Sequence, residues 1–430
     1  MTTSLRCCGA LPSGRTFPVA CRGEGSIERQ SDIRVELRDE QTVYTAQQKK
    51  VHLPYASQCI DDDDISAVVE ALRSEWLTTG PKVADFERAL ADFVGAKEAI
   101  AVSSGTAALH AAMYAVGIEL GDEVILPPMT FAATANAVVF QGGIPIFSDI
   151  DSDTLLIDPD QVEEKITART KAIVAVDYAG QPCDYDSLRR IADKHSLVLV
   201  ADACHALGAE YKDKKVGSLA DLSTFSFHAV KHITTGEGGM ITTQNSDYAD
   251  RMRTFRNHGI TCDHHERNKQ GSWFYEMADL GYNYRMTDFQ CALGISQLQK
   301  LPNFLKRRRA IAKHYDKAFH LVPQIVPLAV GSDILHAYHL YVVRINFNTL
   351  GIDRKLFFAN LREKGVALNV HYIPVHLHPY YRDKFKTTVG LCPSAEAAYE
   401  RIISLPMFPA MMDRDVEKVI TAMVESVNGN

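Results

Sequence analysis

The sequence predicts an α/β protein built on a mostly parallel sheet, followed by a smaller α+β unit. Three observations carry this reading. Five short apolar runs, at 99–102, 123–126, 144–147, 172–176 and 197–201, alternate with stretches of helical spacing, the pattern of strands joined by crossover helices. A long helical pattern from Thr287 to about Val322 then leads out of that region. Beyond it, 337–347 reads as strand, 353–364 as helix and 367–373 as strand. The implied organisation is an extension at 1–50, a large domain at 51–300 and a small C-terminal domain at 301–430, in keeping with roughly one domain per 100 to 200 residues.

Taken in chain order, residues 1–50 carry Arg6, Arg15 and Arg22 with no acid before Glu24 and no sustained periodicity. They read as a poorly ordered extension, with an organellar import signal as the alternative to a cytoplasmic protein. Asp61 to Asp64 precede Ile65, Val68, Val69 and Leu72 at helical spacing, so the acids cap a helix; a calcium loop would need alternating ligands and a sharp glycine turn. The charge-free stretches at 99–118 and 124–148 are too rich in Ser, Gly and Pro for membrane spans. Lys306, Arg307, Arg308 and Arg309 read as a solvated helix face.

Composition sets the partner class. The 430 residues are 46% hydrophobic and 23% charged, with Lys+Arg 46 against Asp+Glu 53 and a net charge of -7, which points to small-molecule partners and away from nucleic acid or membrane. Nine cysteines without a CxxC pair indicate neither a disulfide framework nor a zinc site.

Three segments carry chemistry. Ser103, Ser104, Gly105 and Thr106 lie where a strand gives way to a helix, a phosphate cradle of free N–H groups and hydroxyls or a plain serine cap. The apolar run 197–201 ends in Asp202, Ala203, Cys204 and His205; an acid at a buried strand tip faces a ligand or caps the next segment. Cys204 reads as packing, since nothing in the sequence independently supplies an activating base for it. Lys231 stands in a run otherwise free of acids from Ser223 to Gly236, where desolvation would make it an amine nucleophile. No metal is expected there, because His228 and His232 lack a supporting carboxylate pattern. Cradle, acid and lysine together match the phosphate, pyridinium nitrogen and aldehyde of pyridoxal phosphate.

With these motifs, and with Thr79-Gly80-Pro81, Pro128-Met129-Thr130-Phe131 and the run from Gly281 to Asp288, the chain resembles the nucleotide-sugar aminotransferases of the pyridoxal-phosphate-dependent fold type I, over roughly residues 54 to 428. The resemblance implies a large cofactor-binding domain with a mixed, mostly parallel sheet and a smaller α+β domain. It implies Lys231 as the lysine that carries the cofactor and shuttles the proton, Asp202 as partner of the ring nitrogen, Phe131 stacked on the ring, and Gly105, Thr106 and Ser226 on the phosphate. Asn283 would reach the cofactor of a neighbouring subunit, in a homodimer with shared active sites. His205 stands where many relatives carry Gln.

Within the family, the stretch 366–381 is similar to enzymes of pseudaminic acid biosynthesis. These take an amino group from L-glutamate to C4 of UDP-2-acetamido-2,6-dideoxy-β-L-arabino-hexos-4-ulose. That similarity makes His371 and His376, with Thr79, the expected substrate contacts; a metal reading of His371, His376 and His378 is the alternative. Other expectations stay open: a different UDP- or dTDP-keto-sugar aminotransferase, or a non-catalytic pyridoxal-phosphate-binding regulator. A dehydratase on the same scaffold would carry histidine in place of Lys231, and an α/β hydrolase would need a GxSxG elbow that is missing here.

Overall fold

A computed structural model describes residues 53–261 and 271–429; the expectation of a poorly ordered extension at 1–50 lies outside them. Seven strands form the central sheet: β1 (Glu98–Val102), β2 (Glu123–Leu126), β3 (Ile144–Phe147), β4 (Thr170–Val176), β5 (Val198–Asp202), β8 (Leu222–Ser226) and β9 (Gly239–Thr243), with β6 (Glu210–Tyr211) and β7 (Lys214–Lys215) as a small ribbon between. Their order is β1-β9-β8-β5-β4-β2-β3. Only β9 runs antiparallel to both its neighbours, so the other six strands point the same way and bring their carboxyl ends to one edge. Strands β4 and β5 are buried along nearly their whole length, which is why they read as unbroken Val, Ile, Leu and Ala rather than as alternation.

Helices are started and stopped by the expected devices. Asp61 accepts from Asp63 N and Asp64 N at 3.1 and 3.2 Å, capping the helix Asp62–Arg73. Asp64 itself is buried and accepts from Ser296 Oγ and Gln297 Nε2, so one acid of the run holds the long helix Asp288–Phe319. Pro81 opens the helix Pro81–Val94 and Gly95, at φ +75°, closes it.

The long helix joins two cores. Leu298, Leu301 and Leu305 belong to the core around the main sheet; Ile311, Ala312, Tyr315 and Phe319 belong to a second core. A division at 300/301 therefore falls inside a continuous helix, and the change of core comes about one turn after Leu305. The second core packs on β10 (Ile325–Pro327), β12 (Tyr341–Ile345) and β13 (Ile402–Leu405), ordered β10-β12-β13; β11 (Ile334–Leu335) pairs with β6 instead. Residues after 374 return to the main core through Val375, Tyr381, Cys392 and Ala395, with Asp149 accepting from Ser394 N and Ala395 N.

Three expectations are corrected. The strand expected at 337–347 is limited to Tyr341–Ile345, because Ala337 N and Leu340 N donate to Gly180 O and Ala179 O and Tyr338 takes φ +50°. The strand expected at 367–373 is irregular, with one isolated bridge from Asn369 to Ser404; Ala367 N and Val375 N are drawn to Leu53 O and Pro128 O instead. The basic run is not a uniformly solvated face. Arg308 is fully buried, with Nη1 donating to the carbonyls of Tyr338, His339 and Met407 at 3.1, 3.3 and 2.9 Å.

Candidate active site

The strand ends that share one direction open on a cavity of about 500 Å³. Five of the six contribute to its lining: β1 leads to Ser104, Gly105 and Thr106, β2 to Thr130, Phe131 and Thr134, β4 ends in Val176, β5 leads to Asp202, Cys204 and His205, and β8 to Ser226 and Lys231. Residues far apart in sequence thus meet because parallel strands deliver their following loops to the same side.

Gly105 begins the helix Gly105–Val116, capped by Ser104, whose Oγ accepts from Ala107 N at 3.1 Å. That hydrogen bond realises the serine-cap reading, and the same turn still presents its backbone to the cavity. A Cβ on Gly105 would stand 2.8 Å from Ser226 Cβ and 3.3 Å from Cys204 Sγ. Glycine is therefore required for β8 to approach the helix start, leaving backbone N–H groups and the Thr106 and Ser226 hydroxyls beside the cavity, the donor set a phosphate needs.

At the tip of β5, Asp202 is 6% exposed. Its Oδ2 accepts from Thr134 Oγ1 at 2.7 Å and its Oδ1 from Cys204 N at 3.3 Å. Thr134 spends its proton on Asp202, so the hydroxyl of Thr130, 2.7 Å away, donates to Thr134. Next door, at the tip of β4, burial pushes the Asp177 carboxyl up to about 7, with Asp202 adding to the shift, while Cys183 N and Tyr185 oppose it.

Lys231 is partly buried, and loss of water pushes its ammonium below the usual lysine range, against the pull of Cys204 and Asp202. Burial likewise holds His205 and His339 well below the usual imidazole range, so both rings are neutral near pH 7. His205 Nε2 lies 3.0 Å from the phenol of Tyr372. Burial, with Lys231 adding, pushes His371 down to about 4; its Nδ1 sits 2.8 Å from Ser404 Oγ. The Cys204 thiol is pushed well up by burial and by Asp202, which suits packing rather than nucleophilic attack.

Gly105, Thr106, Phe131, Asp202, His205, Ser226, Lys231 and His371 all line the cavity. Asn283, Thr79 and His376 do not. Asn283 and Thr79 are exposed on the surface, and His376 is fully buried with Nε2 2.8 Å from Glu396 Oε1, its ring against Phe147. His376 thus ties the segment after 374 to the main core and stands outside the cavity lining, where the sequence led to an expected substrate contact. Sequence reasoning missed Thr130, Thr134, Tyr372 and His339. The two threonines carried a weak signal, an i,i+4 pair after a strand end; Tyr372 and His339 carried none, since tertiary packing alone brings them to Lys231.

The family model described as the DegT/DnrJ/EryC1/StrS aminotransferase family matches residues 58–424. The chain belongs to this family. The aminotransferase is 44% identical, over 89% of its length and 99% of the relative's, to the spore coat polysaccharide biosynthesis protein SpsC of Bacillus subtilis. Its structure is similar to Helicobacter pylori PseC, an aminotransferase involved in the biosynthesis of pseudoaminic acid, at a TM-score of 0.82 and 35% identity, covering 88% of this chain and 100% of PseC. It is also similar to the PLP form of Spr1654 from Streptococcus pneumoniae, at 0.83 and 34%, covering 88% and 99%. The cavity of the aminotransferase fits pyridoxal phosphate on its own geometry. It has the cradle that a Cβ at residue 105 would fill, an anion held by Thr134 at a strand tip, and a desolvated lysine between them in one space. Among the described residues no helix is long and apolar enough to cross a membrane.

Proposed function

We propose that this aminotransferase carries an amino group from L-glutamate to C4 of a nucleotide-linked 4-keto-6-deoxy sugar, UDP-2-acetamido-2,6-dideoxy-β-L-arabino-hexos-4-ulose, with pyridoxal 5′-phosphate as its cofactor. The observation that carries the reading is the convergence of Lys231, Asp202 and the Gly105/Ser226 cradle on one cavity. The roles of SpsC in spore coat polysaccharide biosynthesis and of PseC in pseudoaminic acid biosynthesis support a sugar acceptor.

When bound, the cofactor supplies a carbonyl for the amine and a ring that takes up the electrons left by a departing proton. The chain supplies the rest. Asp202, anchored by Thr134, is the counter-charge for a protonated ring nitrogen. Gly105, Thr106 and Ser226 bind the phosphate, and Phe131, at the start of the helix Ala132–Phe140, covers the ring. Lys231 Nζ takes the proton from Cα of glutamate and later delivers a proton to C4 of the sugar. Its lowered basicity suits this work, because a general base is most effective when its pKa approaches the working pH. His371, which lines the same cavity, would contact the substrate.

The working unit is a homodimer with shared sites. Asn283 is exposed and outside the lining of its own cavity, and the preceding segment of the chain carries Trp273, Phe274, Met277 and Leu280, which are 85, 55, 65 and 68% exposed. Exposed large apolar side chains so close in the chain suit an interaction site, and a second copy covering them would bring Asn283 to the partner's cofactor.

The test is incubation with glutamate and a panel of UDP- and dTDP-linked 4-keto sugars, with products weighed by mass spectrometry. Amination of the UDP-linked N-acetyl sugar ahead of the others supports the reading. Release of 2-oxoglutarate without any aminated sugar overturns the acceptor.

A further inference from the structure

Lys231 Nζ has one side-chain acceptor within hydrogen-bonding reach among the described residues, Nε2 of His339 at 3.5 Å. His339 is 5% exposed, and its Nδ1 is buried without a partner. A buried imidazole with an unpaired nitrogen costs stability, so its retention calls for a reason outside folding.

The turn that carries it is fastened from three sides and by a hydrogen bond of its own. Gly180 O and Ala179 O accept from Ala337 N and Leu340 N. His232 Nε2 lies 3.2 Å from Ala337 O, and His336 Nδ1 accepts from Tyr338 N at 2.8 Å. From the long helix, Arg308 grips Tyr338 O and His339 O together with Met407 O of the second core, although its Nε and Nη2 are left buried and unpaired. A Cβ at Gly180 would stand 2.9 Å from Tyr338 N and 3.0 Å from His339 N. Several costly buried groups are thus spent on holding one short turn against Lys231.

We propose that His339 is a positioning residue for the lysine amine: its neutral Nε2 accepts one N–H of Lys231 and so aims the Nζ lone pair into the cavity, while Arg308 fixes the turn that presents it. The arrangement requires the tautomer with the proton on Nδ1. The groups that face His339 are Lys231, His205, His232 and Arg308. None is an acid, so nothing there stabilises an imidazolium and the ring serves as an acceptor only. Two consequences follow. A neutral Lys231 loses orientation when His339 is removed, and a protonated Lys231 loses an acceptor, which lowers its basicity further.

The inference rests on Lys231 being the cofactor-bearing lysine, and the experiment separates the two. Apoprotein is mixed with pyridoxal phosphate across a pH series, and capture is followed by the absorbance of lysine-bound cofactor. The midpoint of the capture rate reports ionisation of Lys231. In H339L the midpoint moves to lower pH, and kcat for the glutamate half-reaction falls about tenfold, the weight of one hydrogen bond, with KM within about twofold. H339Q keeps an acceptor near the Nε2 position and restores both to near wild type. Should H339L fail to fold, H339N, whose amide is too short to reach Nζ, carries the same prediction. An unchanged midpoint and kcat in H339L or H339N overturns the inference, whereas failure of the wild-type protein to capture cofactor at Lys231 overturns the reading beneath it.

Discussion

Thr134 Oγ1 donates to Asp202 Oδ2 at 2.7 Å, joining the first turn of one helix to the tip of a neighbouring strand. The bond fixes which way the carboxylate faces, while Oδ1 accepts from Cys204 N at 3.3 Å. Substituting Thr134→Val keeps the shape of the side chain and removes that donor. Hydrogen bonds to charged groups contribute about 1.5 to 3 kcal/mol, so cofactor affinity should fall at least about tenfold in a fluorescence titration, with the fold intact by circular dichroism.

Gly180 takes φ +101°, and a Cβ there would stand 2.7 Å from His205 O. Gly180→Ala should therefore lose about 2 kcal/mol or more of stability, read in chemical denaturation. It should also disturb the pocket, because the atoms it strikes belong to the turns carrying His205 and His339.

His376 provides the contrast. It is fully buried, paired with Glu396, and not part of the cavity lining. His376→Leu should lower Tm by several degrees, on the order of 1 to 3 kcal/mol for an uncompensated buried partner, and leave KM for the sugar unchanged. A raised KM with unchanged Tm would return His376 to the substrate.

Buried histidines set the acid limit. Burial pushes His110 and His371 down to about 4 and His336 to about 3, below the unfolded value of about 6.5. Between these values the unfolded chain binds more protons than the folded one, so stability rises with pH. Unfolding free energy should fall as pH drops from about 6.5 toward 4, by up to about 1.4 kcal/mol per pH unit for each such imidazole, offset in part by Asp177, whose raised carboxyl adds stability of the opposite sign as pH falls below about 7. Urea titrations at stepped pH check this, and a stability that stays level down to pH 4 would contradict the buried neutral rings.

Much of the site was legible because it is local. Ser104, Gly105 and Asp202 stand at strand ends whose apolar runs announce themselves, Lys231 stands out as a lone amine in an acid-free run after β8, and five of the seven strands of the main sheet are marked by apolar runs. Strands β8 and β9 were not, since Leu222–Ser226 and Gly239–Thr243 mix threonine, serine and glycine into buried positions. The small unit was read less well. Residues 337–340 and 367–373 have strand composition but lend their backbone groups to Gly180, Ala179, Leu53 and Pro128, and such tertiary partners leave no periodic trace. Arg308 shows the same limit: a run of four basic residues hides one that helical geometry turns inward.

The most direct test of the account is borohydride reduction of the protein with bound pyridoxal phosphate, followed by peptide mapping. The account predicts a single pyridoxyl group on Lys231, and its absence when Asp202→Ala protein, folded but stripped of the anion, is treated under limiting cofactor. A pyridoxyl group on any other lysine, with Lys231 unmodified, would contradict it.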